Sequence, residues 1–363
     1  MHTINLRKDP ISELQIQSQT PNEIPSVETV ERPPQNSCQL ETDLCRLRQP
    51  PKSHPLSLHI LALLIPFSTL GTLARLGLQA LAAYEGGGIF SLAYAQAIGC
   101  LMMGLTLRSK DSVSRFYPPL YTAITTGFCG SLTTFSGWEL DVFEAWTNTA
   151  RFHRSGFQNF IDGTGRTFFT LSISLASVAF GEQLAAGLSH RLPRIPPPNH
   201  IVQITITVLS IASYLAVFPA YFLLPTNFRH QATAALLFAF PGTLTRYLLS
   251  VHLNTLVKAL PFGTFTANSA GTALLGGFTV LKNISHSPLS PGICSILQGL
   301  SDGYCGCLTT VSTFAVEVRS MKGWRGFWYV LASWSVGQLL LLTILGASFW
   351  TGRAKEQMTC TFN

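Results

Sequence analysis

Gly127-Phe128-Cys129-Gly130-Ser131-Leu132-Thr133-Thr134-Phe135-Ser136-Gly137-Trp138-Glu139 lies inside an apolar run long enough to cross a membrane, yet it does not suit a regular helix there. Glycine weakens a helix by about 1 kcal/mol relative to alanine, and the four hydroxyls need partners. Irregular backbone at bilayer depth is tolerated only where protein or a water-filled cavity satisfies it. The stretch also recurs. Gly303-Tyr304-Cys305-Gly306-Cys307-Leu308-Thr309-Thr310-Val311-Ser312-Thr313-Phe314 keeps Gly-aromatic-Cys-Gly-x-Leu-Thr-Thr-x-Ser in one register, 176 residues later.

The composition around this duplicated break is that of an integral membrane protein. Of 363 residues 47% are hydrophobic and 11% charged, against roughly 25% charged in soluble domains. The net charge of +7 comes from short basic clusters between apolar runs. That pattern lacks the contiguous basic stripe that nucleic acid requires. Cys100, Cys129, Cys294, Cys305 and Cys307 lie in or beside apolar runs and are expected as buried thiols, while Cys38, Cys45 and Cys360 have no arguable partner. Cys305-x-Cys307 has no second ligand pair at zinc spacing.

Residues 1–54, rich in Gln, Ser, Pro, Glu and Thr, read as a disordered tail. Nine apolar spans follow, at about 56–83, 89–107, 118–140, 165–188, 201–224, 232–257, 262–281, 293–317 and 326–350, each near the 20 residues a crossing needs. The fourth is interrupted by Arg166 and Glu182. Alternate loops hold twelve Lys and Arg on one side and at most seven on the other. The N-terminus is therefore expected in the cytoplasm and the C-terminus outside. Asn283-Ile284-Ser285, a glycosylation sequon, then falls outside.

Four spans are duplicated in order. Gly71-Thr72-Leu73-Ala74-Arg75 matches Gly242-Thr243-Leu244-Thr245-Arg246. Ala95-Gln96-Ala97-Ile98-Gly99 matches Ala267-Asn268-Ser269-Ala270-Gly271, and Leu175-Ala176-Ser177 with Gly181 matches Leu331-Ala332-Ser333 with Gly337. The fifth span, Ile201–Leu224, is left over and sits between prolines. Four spans per repeat would give parallel halves, and one added crossing inverts the second half. The expectation is an all-α membrane protein of two inverted four-helix repeats, 55–190 and 230–351. A linker with a transmembrane helix (191–229) joins them, and a short tail (352–363) follows. Inverted repeats place functional sites at their interface near the midplane.

These motifs, with Gly263-Thr264-Phe265-Thr266-Ala267-Asn268, resemble the Fluc family of fluoride channels, in the fused nine-span form of the eukaryotic exporters. The resemblance covers Leu56 to about Trp350. It implies a single chain folded as an internal antiparallel dimer, with two fluoride pathways and a central structural sodium ion. The family's pore asparagine matches Asn268, and Gln96 stands in its place in the first half. The paired phenylalanines match Phe135 and Phe314, with Trp138 and Val311 at the other two positions. Since each pathway joins the first phenylalanine of one half to the second of the other, Phe135 and Phe314 would share one working pore, with Ser136, Thr313, Ser333 and Tyr329. Gln96, Val311, Trp138 and Ser177 would mark a degenerate partner. Arg75 and Arg246 would border the vestibules, drawing anions or supporting the break. The carbonyls of Gly130, Thr133, Gly306 and Thr309 would hold the sodium.

A hydrated fluoride leaves water only if donors replace its shell, and an aromatic edge carries partial positive charge. The first reading is thus a passive channel exporting fluoride across the plasma membrane, driven by a potential negative inside. The alternative is a coupled antiporter, which would use an intramembrane titratable group. The acids Glu139, Asp141, Glu182, Asp302 and Glu317 are all expected toward span ends. A purely structural membrane protein is a third class, opposed by the repeated polar breaks. No catalytic spacing appears, so no enzyme is expected.

Overall fold

The computed structural model describes residues 54–83, 89–188, 196–224, 232–256, 260–284 and 289–361. The predicted tail 1–53, the loop cations Arg191, Arg194, Arg229 and Lys258, and Ser285 of the sequon lie outside the described residues.

The described chain is helical, with one isolated antiparallel bridge between Ile284 and Ala354. In the first half, α1 is Leu58–Ala82, α2 is Leu92–Arg108 and α3 is Lys110–Phe116. Then comes the break. α4 (Pro118–Thr122) runs into a π-helical turn, Ala123–Cys129, and a short α5 (Gly130–Leu132). Thr133 and Thr134 are extended, with ψ of 148° and 130°, and α6 begins at Phe135 and ends at Thr147. α7 spans Gly156–Leu188 and α8 His200–Leu223. Asn199 caps α8, its side chain accepting from the Val202 N–H.

The second half repeats the order. α9 is Ala234–Leu253 and α10 Phe262–Lys282. α11 (Pro291–Gly299) runs into a π-helical turn, Leu300–Cys305, then α12 (Gly306–Leu308), an extended Thr309, and α13 (Ser312–Ser320). α14 (Arg325–Leu341) continues through a further π turn, Leu342–Gly346, into α15 (Ala347–Trp350). A π turn thus precedes both breaks, and such turns gather at functional sites.

Among the described residues, five stretches are long and apolar enough to cross a membrane: α1, α7, α8, α9 and Arg325–Trp350. The fourth predicted span begins earlier than its hydropathy suggests, at Gly156. Its charged interruptions are accommodated by ion pairs, Arg166 with Asp162 at 3.1 Å and Glu182 with Arg319 at 2.9 Å.

One cysteine reading is corrected. Cys294 is not a buried thiol, because it is joined to Cys360 in a disulfide. The C-terminal stretch is consequently a strap. The Lys355 N–H donates to Asn283 O at 2.8 Å, and the N–H groups of Thr359 and Cys360 both donate to Lys282 O at 3.2 Å. Arg151 pairs with Glu356 at 2.8 Å. Sequence could not show this pairing, since the two cysteines are 66 residues apart with no local signal.

A disulfide closing a loop of that size is worth about 2–4 kcal/mol. Reduction, or Cys360→Ser, is therefore expected to lower stability by that amount, read as a fall in thermal unfolding midpoint in detergent. An unchanged midpoint would refute the strap.

Candidate functional site

A helix begins with four N–H groups that have no partner in its own ladder. α6 and α13 both begin inside the protein, where water does not supply one. Each takes an acceptor from the other half. Thr309 Oγ1 accepts from the N–H groups of Phe135 and Ser136, at 3.2 and 3.1 Å. Thr133 Oγ1 accepts from the Ser312 N–H at 3.1 Å. Both threonine hydroxyls are held from behind by the preceding turn, Thr133 donating to Cys129 O and Thr309 to Cys305 O, each at 3.0 Å. The hydroxyls also meet one another, Thr134 with Thr309 at 2.9 Å and Thr133 with Thr310 at 3.2 Å. All four threonines are buried. Ser136 joins them, 3.0 Å from Thr309 Oγ1, while Thr313 is half-buried and its N–H reaches Thr310 Oγ1 at 3.5 Å.

The carbonyls freed by the breaks go to the two arginines. Arg75 donates through Nη1 to Gly306 O at 2.8 Å and through Nη2 to Asp302 O. Arg246 donates through Nε to Cys307 O at 2.8 Å and through Nη2 to Thr126 O at 2.7 Å. Both are 2% exposed. Guanidiniums spent on buried carbonyls in this way support the break. Thr72 with Cys307 (3.1 Å) and Ser131 with Thr243 (2.9 Å) add two further matching links between the halves. Gly71 and Gly242 let each first helix approach its own half's break closely, since a Cβ would lie 2.5 Å from Phe128 O and 2.4 Å from Tyr304 O.

Around the crossing stand two three-helix columns, each packed pairwise and each drawing a helix from both halves: α2, α7 and α13, and α10, α14 and α6. The predicted amides occupy equivalent places. Asn268 on α10 makes a two-point pair with the Thr310 peptide, accepting its N–H at 2.9 Å and donating to its carbonyl at 3.3 Å. Gln96 on α2 donates to Thr134 O at 2.7 Å, and its Oε1 is left without a partner.

The aromatic positions come together at one place. Phe135 meets Phe314 edge to face, with centroids 5.5 Å apart, and Phe314 meets Tyr329 at 5.0 Å. Trp138 packs edge-on against Phe135 at 5.4 Å, and Val311 belongs to the same buried cluster. Ser333 is buried and its hydroxyl has no partner. Ser177 is only half-buried; its neighbour Ser174 is the fully buried serine on α7, with Thr170 one turn before.

Several site residues escaped sequence reasoning. Tyr329 donates to Glu317 Oε2 at 2.9 Å, and Thr264 donates to Glu317 Oε1 at 2.6 Å. Thr264, Asn268, Thr272 and Thr279 are all buried on α10. Their four- and seven-residue spacing was the available signal, and the matching residues on α2 are Leu92, Gln96, Cys100 and Leu107. Glu139 was expected toward a span end, but it lies fully buried one turn into α6.

The predicted cation site is oxygen-lined, as a hard cation prefers. A four-carbonyl cage does not fit this arrangement, however. The Gly306 carbonyl is already taken by Arg75, and guanidiniums lie against both glycines, so that a Cβ on Gly130 or Gly306 would come within 2.2 or 2.3 Å of them.

A family profile described as "CrcB-like protein, Camphor Resistance (CrcB)" matches residues 62–182 and again residues 233–347. The chain belongs to the CrcB family. It is 31% identical over 359 residues to "Fluoride export protein 1" of Neurospora crassa, covering 81% of this chain and 67% of the relative. With "Fluoride export protein 1" of Schizosaccharomyces pombe it shares 33% over 301 residues, covering 78% and 94%. "Fluoride-specific ion channel FluC" of Pseudomonas paraeruginosa matches at 37% over 108 residues, 29% of this chain but 81% of the relative. No solved structure matches the chain. As a CrcB protein, the chain is not an enzyme.

Because the break threonines cap helices across the halves, Thr133→Val and Thr309→Val are each expected to cost about 1–2 kcal/mol, with the serine variants near wild type. Unfolding in detergent measures this. A valine variant as stable as wild type would refute the reciprocal cap.

Proposed function

We propose that this CrcB protein is a passive channel that exports fluoride across the plasma membrane, through one working pathway beside α10. The names of its relatives support fluoride as the ion. The observation that carries the single-pathway reading is the contrast between the columns. Thr264, Asn268, Thr272 and Thr279 line α10 where Leu92, Gln96, Cys100 and Leu107 stand on α2. A partly dehydrated anion needs successive polar partners, and α10 carries more of them along one face than α2 does, with Tyr329 and Ser333 on α14. The Phe135–Phe314 pair sits at the crossing, and its ring edges suit an anion.

The proposed layout is nine crossings: repeats at 55–190 and 230–351 of opposite orientation, the linker 191–229 between them, and one chain doing the work of a dimer. The contacts between element ends support alternate crossing. His59 at the start of α1 meets Thr207, two turns into α8, at 2.7 Å, and the end of α13 meets the last turns of α7 through Arg319 and Glu182. Arg151, Asn283, Cys294 and the strap residues Lys355, Glu356 and Cys360 cluster together. Disulfides persist in oxidising compartments, which favours the strap outside and the N-terminus in the cytoplasm. For sodium, the narrower reading left by the geometry is an ion held from the carbonyls of Thr133 and Thr309.

Fluoride efflux from liposomes tests the function. Phe135→Ile, Phe314→Ile and Asn268→Asp are expected to reduce it by about tenfold or more, a barrier change above ~1.4 kcal/mol, while Val311→Ala leaves it near wild type. Equal losses in all four would overturn the single pathway. A flux tied to a fixed proton count would replace the channel with a coupled carrier.

A further inference from the structure

Glu139 is the buried acid that the proposed pathway does not yet use. It is fully buried in α6, and its carboxyl rests on α14. A Cβ on Gly337 would lie 2.8 Å from its Cδ, so α14 offers bare backbone at this point. The partner is the next residue, Gln338, whose Nε2 donates to Glu139 Oε2 at 2.5 Å and to the Glu139 main-chain carbonyl at 2.9 Å. Both hydrogens of that amide are thereby used. Glu139 Oε1 and Gln338 Oε1 are buried and have no partner. With Glu139 ionised, these are two acceptors with no donor between them. One proton on the carboxyl turns an acceptor into a donor and lets acid and amide match at both ends.

No charge compensates an ionised Glu139. It forms no ion pair among the described residues. The neighbouring charges on α6 itself are the acids Asp141 and Glu144. α14 carries one charged residue, Arg325 at its start. α10 brings Lys282 at its far end, bonded there to Gln298 at 3.0 Å. α7 brings Asp162 and Arg166, bound to each other, and Glu182, bound to Arg319. An isolated buried carboxylate costs several kcal/mol and takes up a proton instead.

We propose that Glu139 is carried as the neutral acid, paired at two points with the Gln338 carboxamide, and that this proton keeps the α6–α10–α14 column passable to anions. A carboxylate there would repel a permeating anion in a low-dielectric wall. The inference rests on the single-pathway reading for its consequence, but not for the proton itself. Ala315 takes the equivalent place in the other column, so the proton site belongs to one column only.

Two measurements on the full-length protein test this, with Glu139→Gln as the uncharged counterpart. Infrared spectra of the reconstituted wild type are expected to show a protonated-carboxyl C=O band that Glu139→Gln lacks. Fluoride efflux of the wild type is expected to fall about tenfold per pH unit beyond the onset of ionisation, with the band disappearing over the same range. Efflux by Glu139→Gln should show no such fall. Absence of the band from wild type, or the same alkaline fall in both proteins, would overturn the proposal. If neither protein passes fluoride at any pH, the functional reading fails, and the infrared band still decides whether Glu139 holds a proton.

Discussion

The structure depends on an exchange of hydroxyls. Each half contains a helix that stops in mid-span and restarts, and each restart takes an acceptor from the opposite half's first threonine. At bilayer depth a backbone N–H without a partner costs several kcal/mol, so neither α6 nor α13 has a satisfied beginning alone. The exchange is also reciprocal, Thr309 capping α6 and Thr133 capping α13, which suits two copies of opposite direction.

The arginines complete the same logic for carbonyls. A broken helix frees acceptors as well as donors, and Arg75 and Arg246 each reach two carbonyls with one planar fork. Arg75 serves the other half's break, and Arg246 serves one carbonyl in each half. A buried guanidinium is expensive unless its donors are matched, and here carbonyls at the crossing match them. The positive charge so placed is fixed by the backbone it holds together. That is why these residues bear on the break more than on any open mouth, and why a cation cage on Gly306 is hard to accommodate.

Much of this was legible. The glycine–threonine break, its duplication and the matched Gly-Thr-Leu-x-Arg motifs could be read because sequence pattern is forced wherever backbone is irregular. The Phe135 and Phe314 asymmetry was readable too, and the two rings do touch. Depth was harder to read. Glu139 looked terminal when counted along one long span, but the helix restarts at Phe135, so residue 139 lies one turn from the centre. On α7 the repeat match pointed to Ser177, whereas the fully buried serine is Ser174, because a match of short motifs does not specify which helix face packs inward. The Cys294–Cys360 pairing had no local signature at all.

Divergence between the columns is uneven. Leu92 and Cys100 belong to a buried apolar cluster with Leu132, Phe135 and Val178, so the α2 column gains packing where the α10 column keeps hydroxyls. Yet Gln96 survives as an amide. Its Nε2 holds Thr134 O much as Asn268 holds Thr310 O, and a hydrophobic residue there would orphan a buried carbonyl at a cost of about 1–3 kcal/mol. The unpaired Gln96 Oε1 fits the same account. Asn268 closes a two-point pair with the Thr310 peptide, whereas the longer side chain keeps only the carbonyl contact. What the first half retained is the polar contact its break needs to fold, and what α2 lacks is the run of buried hydroxyls that α10 carries.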